Sequence, residues 1–236
     1  TADQVLTSDG TDIAWADAGG GTLTDLITAH IEGGSYQNLM KVPDPHGSAS
    51  SGDDIGGFSV IRDASATPTH NEDANALRGG WKFRSAADDA DAGLVGNWLT
   101  ANQDWTMAGS FIVDSVSTLE RAVFAHKTNG ASMGDENGFI GFRVLTTGNV
   151  FFVCDTGGTE TTRDYGSNGA TRFDARIVVS GGGTTVQGFI NGSQVGADIT
   201  TNIYTTTAQS AMGCRANTTT ATNMYASDIY HWMERP

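Results

Sequence analysis

The chain has 236 residues, enough for one large β domain or two smaller ones, with 31 glycines and only 4 prolines. Its formal charge is −14, from 13 basic and 27 acidic residues, which argues against nucleic acid as a partner because such a surface repels a phosphate backbone. No run of about 18 apolar residues occurs, so no membrane insertion is expected, and a 38 % hydrophobic content with five Trp and ten Phe excludes a wholly disordered chain.

Residues 1–21 read TADQVLTSDGTDIAWADAGGG. Val5-Leu6 and Ile13-Ala14-Trp15 flank the turn-forming Ser8-Asp9-Gly10-Thr11, which predicts a small hairpin. In residues 22–32, Leu23, Leu26, Ile27, His30 and Ile31 fall at helical spacing. Thr22 or Thr24 caps that short helix and Gly33-Gly34 stops it. Neither element is stable alone. Full burial of Val5, Leu6, Ile13 and Trp15 contributes roughly 5–8 kcal/mol, less than the entropy of fixing the segment. Copies packed on one another supply the missing surface. The expectation is a homotrimeric attachment segment over 1–32, with Val5, Leu6, Ile13, Trp15, Leu23, Leu26 and Ile27 at the interface. Thr1 is not an initiator Met, and no signal peptide is evident, so the chain is expected to be processed or a piece of something longer.

Residues 33–66 are rich in Gly, Ser and Asp and read as a connector with short strands at 36–42 and 58–62. From 67 to 236 the pattern is strand, turn, strand. Strands are predicted at 76–84, 105–113, 122–127, 138–146, 149–155, 172–180, 184–190, 194–198, 210–215 and 226–233. Asn129-Gly130, Asn137-Gly138, Gly181-Gly182-Gly183 and Asn191-Gly192 mark hairpin turns, because Asn and Gly tolerate positive φ. About ten short strands with little helix predict an all-β, two-sheet antiparallel sandwich.

Catalytic signatures are missing from the sequence: no His-Glu-x-x-His, Cys-x-x-Cys, P-loop or Gly-x-Ser-x-Gly occurs. His30, His46, His70, His126 and His231 are dispersed and read as structural or exposed. Cys154 and Cys214 read as buried free thiols, with one bridge between neighbouring strands as the alternative. No cofactor is expected other than calcium, whose hard oxygen ligands two acidic turns supply in part. Asp89 and Asp91 precede Gly93 in one; Asp135, Glu136 and Asn137 form the other. Trp81, Trp105 and Trp232 read as core. A glycan site needs an aromatic platform and polar side chains on loops. Loop 96–104 offers Trp98, loop 155–169 offers Arg163, Tyr165 and Asn168, and loop 215–225 offers Asn217 and Tyr225.

Four stretches resemble the concanavalin-A-like, laminin-G-like jelly-roll superfamily: DWTMAGSFIVDS (104–115), FIGFRVLTTGNVFFVCD (139–155), RFDARIVVSGGGTTVQGFINGSQVG (172–196) and AMGCRANTTTATNMYASDIYHWMER (211–235). The resemblance runs from about 74 to the end and implies a jelly-roll fold. The family's His-bearing strand start is here Arg172-Phe173-Asp174-Ala175-Arg176. The Glu-x-Asp-x-x-Glu motif of its glucanases does not occur, so no glycosidase is expected. The opening QVLTSDGTDIAWADAGGG (4–21) resembles a unit of bacteriophage tail-fibre proteins. Together these resemblances imply a non-enzymatic virion protein, a tail fibre or similar appendage, whose jelly-roll tip binds a host-surface glycan among other virion proteins at the virion surface. The alternatives are a secreted or cell-surface carbohydrate-binding or adhesion module, and a capsid decoration domain without ligand.

Overall fold

In the computed structural model the chain is organised as two antiparallel sheets packed face to face. Residues 6–8, 13–15, 36–41, 54–55 and 58–234 are described, except 64–65, 72, 74–76, 78, 100–102, 115, 130–131, 135–136 and 168–169. The chain forms two units, residues 1–37 with 235 and residues 38–234 with 236. The first contains a hairpin of β1 (Leu6–Ser8) and β2 (Ile13–Trp15), in which Leu6 pairs with Trp15 and Ser8 with Ile13. The hairpin expected at the start of the chain therefore forms. The expected helix at 22–32 lies outside the described residues.

The strands then run in chain order as β3 (Tyr36–Lys41), β4 (Asp54–Ile55), β5 (Phe58–Arg62), β6 (Ala66–His70), β7 (Trp81–Ser85), β8 (Asp91–Leu99) and β9 (Trp105–Asp114). After one 3₁₀ turn at Val116–Thr118 come β10 (Leu119–Lys127), β11 (Phe139–Leu145), β12 (Asn149–Asp155), β13 (Glu160–Ser167) and β14 (Phe173–Ser180). The last are β15 (Thr185–Ile190), β16 (Ser193–Gln194), β17 (Ala208–Ala216) and β18 (Thr222–Glu234). The first sheet has the order β13-β12-β11-β10-β17-β8-β5-β4, and the second contains β16-β15-β14-β9-β18-β7-β6. This is the two-sheet antiparallel sandwich that the strand pattern predicts, and it agrees with the jelly roll that the resemblance implies.

Alternation builds the core. Along β14, Phe173, Ala175, Ile177 and Val179 are buried, while Arg176, Val178 and Ser180 are only half-buried. Trp81, Phe83, Trp105, Phe111, Phe142 and Phe152 fill the space between the sheets, each contributing about 2–3 kcal/mol on burial. Trp81, Trp105 and Trp232 are buried, as their strand positions imply. A smaller apolar cluster, with Val95, Val123, Met133, Phe139 and Val153, lies apart from this core.

Three strands depart from the sequence expectation. β8 contains Asp91, the end of one acidic run, and the stretch around Trp98, both of which read as loops. Its glycines hid it, yet they are packing requirements. A Cβ at Gly93 would sit 2.4 Å from the Met212 carbonyl, and one at Gly96 would sit 2.7 Å from the Phe58 ring. β13 also read as a loop. It is the edge strand of its sheet, exposed or half-buried throughout, so it needs no apolar stripe. β5, expected inside the connector, pairs with β8 and buries Phe58 and Val60. The sandwich therefore begins before residue 67.

Cys154 and Cys214 are buried free thiols. They lie on β12 and β17, three strands apart in the first sheet, a separation of about 14 Å at the usual strand spacing. That rules out a bridge between them. Burial pushes both thiols up to about 12, so neither is a reactive nucleophile.

Candidate functional site

Three connections meet at one end of the sandwich and enclose a cavity of about 320 Å³. The β10–β11 turn contributes Thr128, Asn137 and Gly138, and the β12–β13 turn contributes Thr156 and Gly157. The connection before β17 contributes Ile203, Tyr204, Thr205 and Thr206. Each wall is held by local chemistry. Thr128 closes the first turn through its N–H to the Gly138 carbonyl, at 2.9 Å, and through its hydroxyl to the Asn137 carbonyl. Gly138 has φ +61°, and a Cβ there would collide with the Thr128 side chain at 2.4 Å. At the second turn, one Asp155 carboxylate oxygen accepts from the Gly157 N–H at 2.6 Å and the Gly158 N–H at 2.9 Å. Both glycines have strongly positive φ, which side-chain-bearing residues resist. The third connection is pinned to β13 by the Asn202 Nδ2 donating to the Thr161 hydroxyl at 2.9 Å.

Among the described residues the resulting surface is uncharged and rich in hydroxyls. Thr156, Thr205 and Thr206 are exposed, and their hydroxyls have no hydrogen-bond partner among the described residues. Ile203 supplies an apolar contact, and Tyr204 is buried to 5 % exposure. The Tyr204 hydroxyl meets His126 Nδ1 in a short hydrogen bond, an arrangement that suits a phenol donating to an unprotonated ring nitrogen.

Behind Tyr204 lies a buried histidine pair that the sequence reading treats as unrelated. His126 comes from β10 and His231 from β18, and their rings are 5.8 Å apart. Trp105 packs against both, at 4.8 Å and 5.5 Å. Ser210 Oγ lies 2.6 Å from His231 Nδ1, and no hydrogen bond reaches either Nε2. Burial pushes His231 down to about 3; burial and the neighbouring His231 push His126 well below its ordinary value. Burial also raises the Tyr204 phenol. The floor of the cavity is therefore neutral at ordinary pH.

Of the six residues expected to bind glycan, the structure describes the side chains of four, Arg163, Tyr165, Asn217 and Tyr225, and they do not share one site. Trp98 lies on β8, and its side chain is outside the described residues. Arg163 lies on β13 with its Nε donating to the Ala197 carbonyl at 3.3 Å, so it ties the two sheets together at their open edge. Tyr165 is exposed beside a β-bulge on the same strand. Asn168 is outside the described residues. Asn217 is exposed, but its N–H pairs with Thr118 at the opposite end of the sheet from the cavity. Tyr225 is not a loop residue at all. It is buried on β18, donates to Asp73 at 2.6 Å and lies under the Lys82 ammonium.

The residues expected to hold calcium are described only in part. Asp91 is buried and paired with Arg215 at 2.9 Å, and Asp89 reaches the same guanidinium at 3.4 Å. These two carboxylates serve a cation of the chain itself. Asp135 and Glu136 are outside the described residues, while Asn137 lines the cavity. Among the described residues, no group of three or more His, Cys, Asp or Glu is placed to hold a metal. Of the expected oligomer contacts, Leu6, Ile13 and Trp15 lie in the β1–β2 hairpin; Val5, Leu23, Leu26 and Ile27 are outside the described residues. The one sequence signal for the cavity is threonine repeated in turns, at 156–162 and 205–207, which is also the mark of an ordinary polar loop.

No protein-family model matches the sequence, and no curated protein does. Solved structures do. A protein of unknown function from Shewanella oneidensis MR-1 aligns with TM-score 0.61 over 93 % of this chain and 96 % of its own, at 12 % identity. A type C botulinum neurotoxin structure, whose cell entry depends on interaction with two ganglioside molecules, aligns with TM-score 0.55 over 89 % of this chain at 12 % identity. This chain spans about half of that one, 50 % of its length. A family 7 alginate lyase in complex with product aligns with TM-score 0.52 over 73 % of this chain and 84 % of its own, at 10 % identity. At these identities the likeness establishes the sandwich fold.

Proposed function

We propose that the sandwich is a non-enzymatic carbohydrate-binding module and that the end cavity is its site. The carrying observation is that Thr156, Thr205 and Thr206, whose hydroxyls have no partner among the described residues, line one cavity with Ile203 and the fixed Tyr204. Sugars present the same two surfaces, hydroxyls that donate and accept and apolar C–H faces that sit on apolar or aromatic groups. The described lining holds no carboxylate, imidazole or thiol, and its phenol, Tyr204, is raised by burial and tied to His126, which suits recognition better than proton transfer. The ganglioside dependence of the type C neurotoxin and the bound product of the alginate lyase support a carbohydrate role for this fold. A glycan array probed with the whole chain tests the reading. Binding that falls at least about tenfold in Thr205→Ala/Thr206→Ala supports it, and an array without any signal overturns it.

For the place of display, the first 32 residues support a second reading. The β1–β2 hairpin forms, and its sequence resembles a tail-fibre unit. A bacteriophage appendage with three tips is therefore the second reading, in which three weak sites gain avidity on one surface. Display by secretion or at a cell surface needs no such trimer. Light scattering on the intact chain, and on one lacking residues 1–32, separates them. A trimer that becomes monomeric on truncation supports the appendage; a monomer throughout removes it.

A further inference from the structure

Building on the end cavity as a carbohydrate site, we propose that this site takes a neutral glycan and rejects an acidic one. The lining consists of hydroxyls, one amide side chain, backbone and apolar groups, with no Lys or Arg among its described residues. The cations nearest along the chain are turned elsewhere. Lys127, next to Thr128, donates to the Ser132 carbonyl and lies over the Phe139 ring. Arg143 forms a two-point ion pair with Glu160, both contacts at 3.0 Å. Arg163 is engaged with the Ala197 carbonyl.

The fixed charge beside the wall has the opposite sign. Asp155 sits under the Gly157 amide that lines the cavity. The whole chain carries −14. A uronate or sialate carboxylate entering here gives up water and finds no counter-charge, which is costly, and the surrounding potential repels it. A neutral sugar loses no charge solvation. Its hydroxyls pair with threonine hydroxyls in either direction.

The test is an amide-resolved NMR titration of the intact chain at physiological salt. The probes are matched pairs: lactose with sialyllactose, and a cello-oligosaccharide with an oligoguluronate. Neutral probes are expected to move the Gly138 and Gly157 amides, with acidic counterparts binding at least about tenfold more weakly. Thr156→Lys, at an exposed position, is expected to narrow that gap by supplying the missing cation. Acidic probes that bind the same amides as well as the neutral ones overturn this inference and leave carbohydrate binding standing. No movement of any amide with either class overturns both.

Discussion

The hydroxyl of Tyr204 and the Nδ1 of His126 are joined by a hydrogen bond that links the wall of the end cavity to the interior of the sandwich. Tyr204 precedes the two exposed threonines, Thr205 and Thr206, so this bond, with the one from Asn202 to Thr161, holds the connection that presents them. Tyr204→Phe keeps the ring and removes the bond. No hydrogen bond reaches His126 Nε2, so the imidazole loses its side-chain partner. The expected loss is about 1–3 kcal/mol of unfolding free energy, read by urea denaturation.

Acid sensitivity follows from the same pair. Both imidazoles titrate near 6.5 in the unfolded chain and lower in the folded one, His231 at about 3. Below pH 6.5 the unfolded chain therefore binds more protons. The histidine contribution is constant above that value and falls as pH drops toward 3, by up to about 1.4 kcal/mol per pH unit for each histidine. Asp73, held low by Lys82 and Tyr225, adds its own loss only below about 3.8. Thermal melting between pH 7 and pH 4 reads the loss from the two histidines against the opposing proton uptake of Glu120, whose carboxyl burial raises. His231→Gln is expected to flatten that slope even where it lowers the melting temperature at neutral pH.

Arg215 ties β17 to β8 through Asp91, whose side chain is only 6 % exposed. Arg215→Met leaves that carboxylate buried without its cation, at an expected cost of about 3 kcal/mol. Adding Asp91→Asn removes the stranded charge. The double variant is expected to recover part of the loss, which a double-mutant cycle in guanidinium measures directly.

Close packing between the sheets gives a steric prediction. A Cβ at Gly188 would lie 2.5 Å from the Phe152 ring. Gly188→Ala is expected to destabilise by about 1–3 kcal/mol. At Gly182, where a Cβ meets nothing within 4 Å, the same substitution meets only the strain of φ +68° and not a clash. Denaturation midpoints of the two variants separate crowding from backbone strain.

The fold was legible where alternation and turn chemistry agree. The β14–β15 hairpin is the clearest case, with Ile177 and Val179 inward and Gly181-Gly182-Gly183 at the turn. It was hidden where an element obeys a different constraint. β8 carries glycines because Met212 and Phe58 approach its backbone, and β13 is polar because an edge strand buries little. The site was less legible still. Aromatic residues drew attention to Tyr225, which is buried beneath Asp73 and Lys82. The residues that do converge are threonines from three turns far apart in sequence. Only the strand register, Lys127 opposite both Phe139 and Gln209, brings those turns to one end.

The central claim is that this end of the sandwich is where a sugar binds. The most direct measurement is a map of amide shifts on adding the oligosaccharide that ranks highest on the array. The account predicts shifts gathered at Thr128, Gly138, Gly157, Thr205 and Thr206. Shifts gathered instead along β13, or on the outer face of either sheet, contradict it.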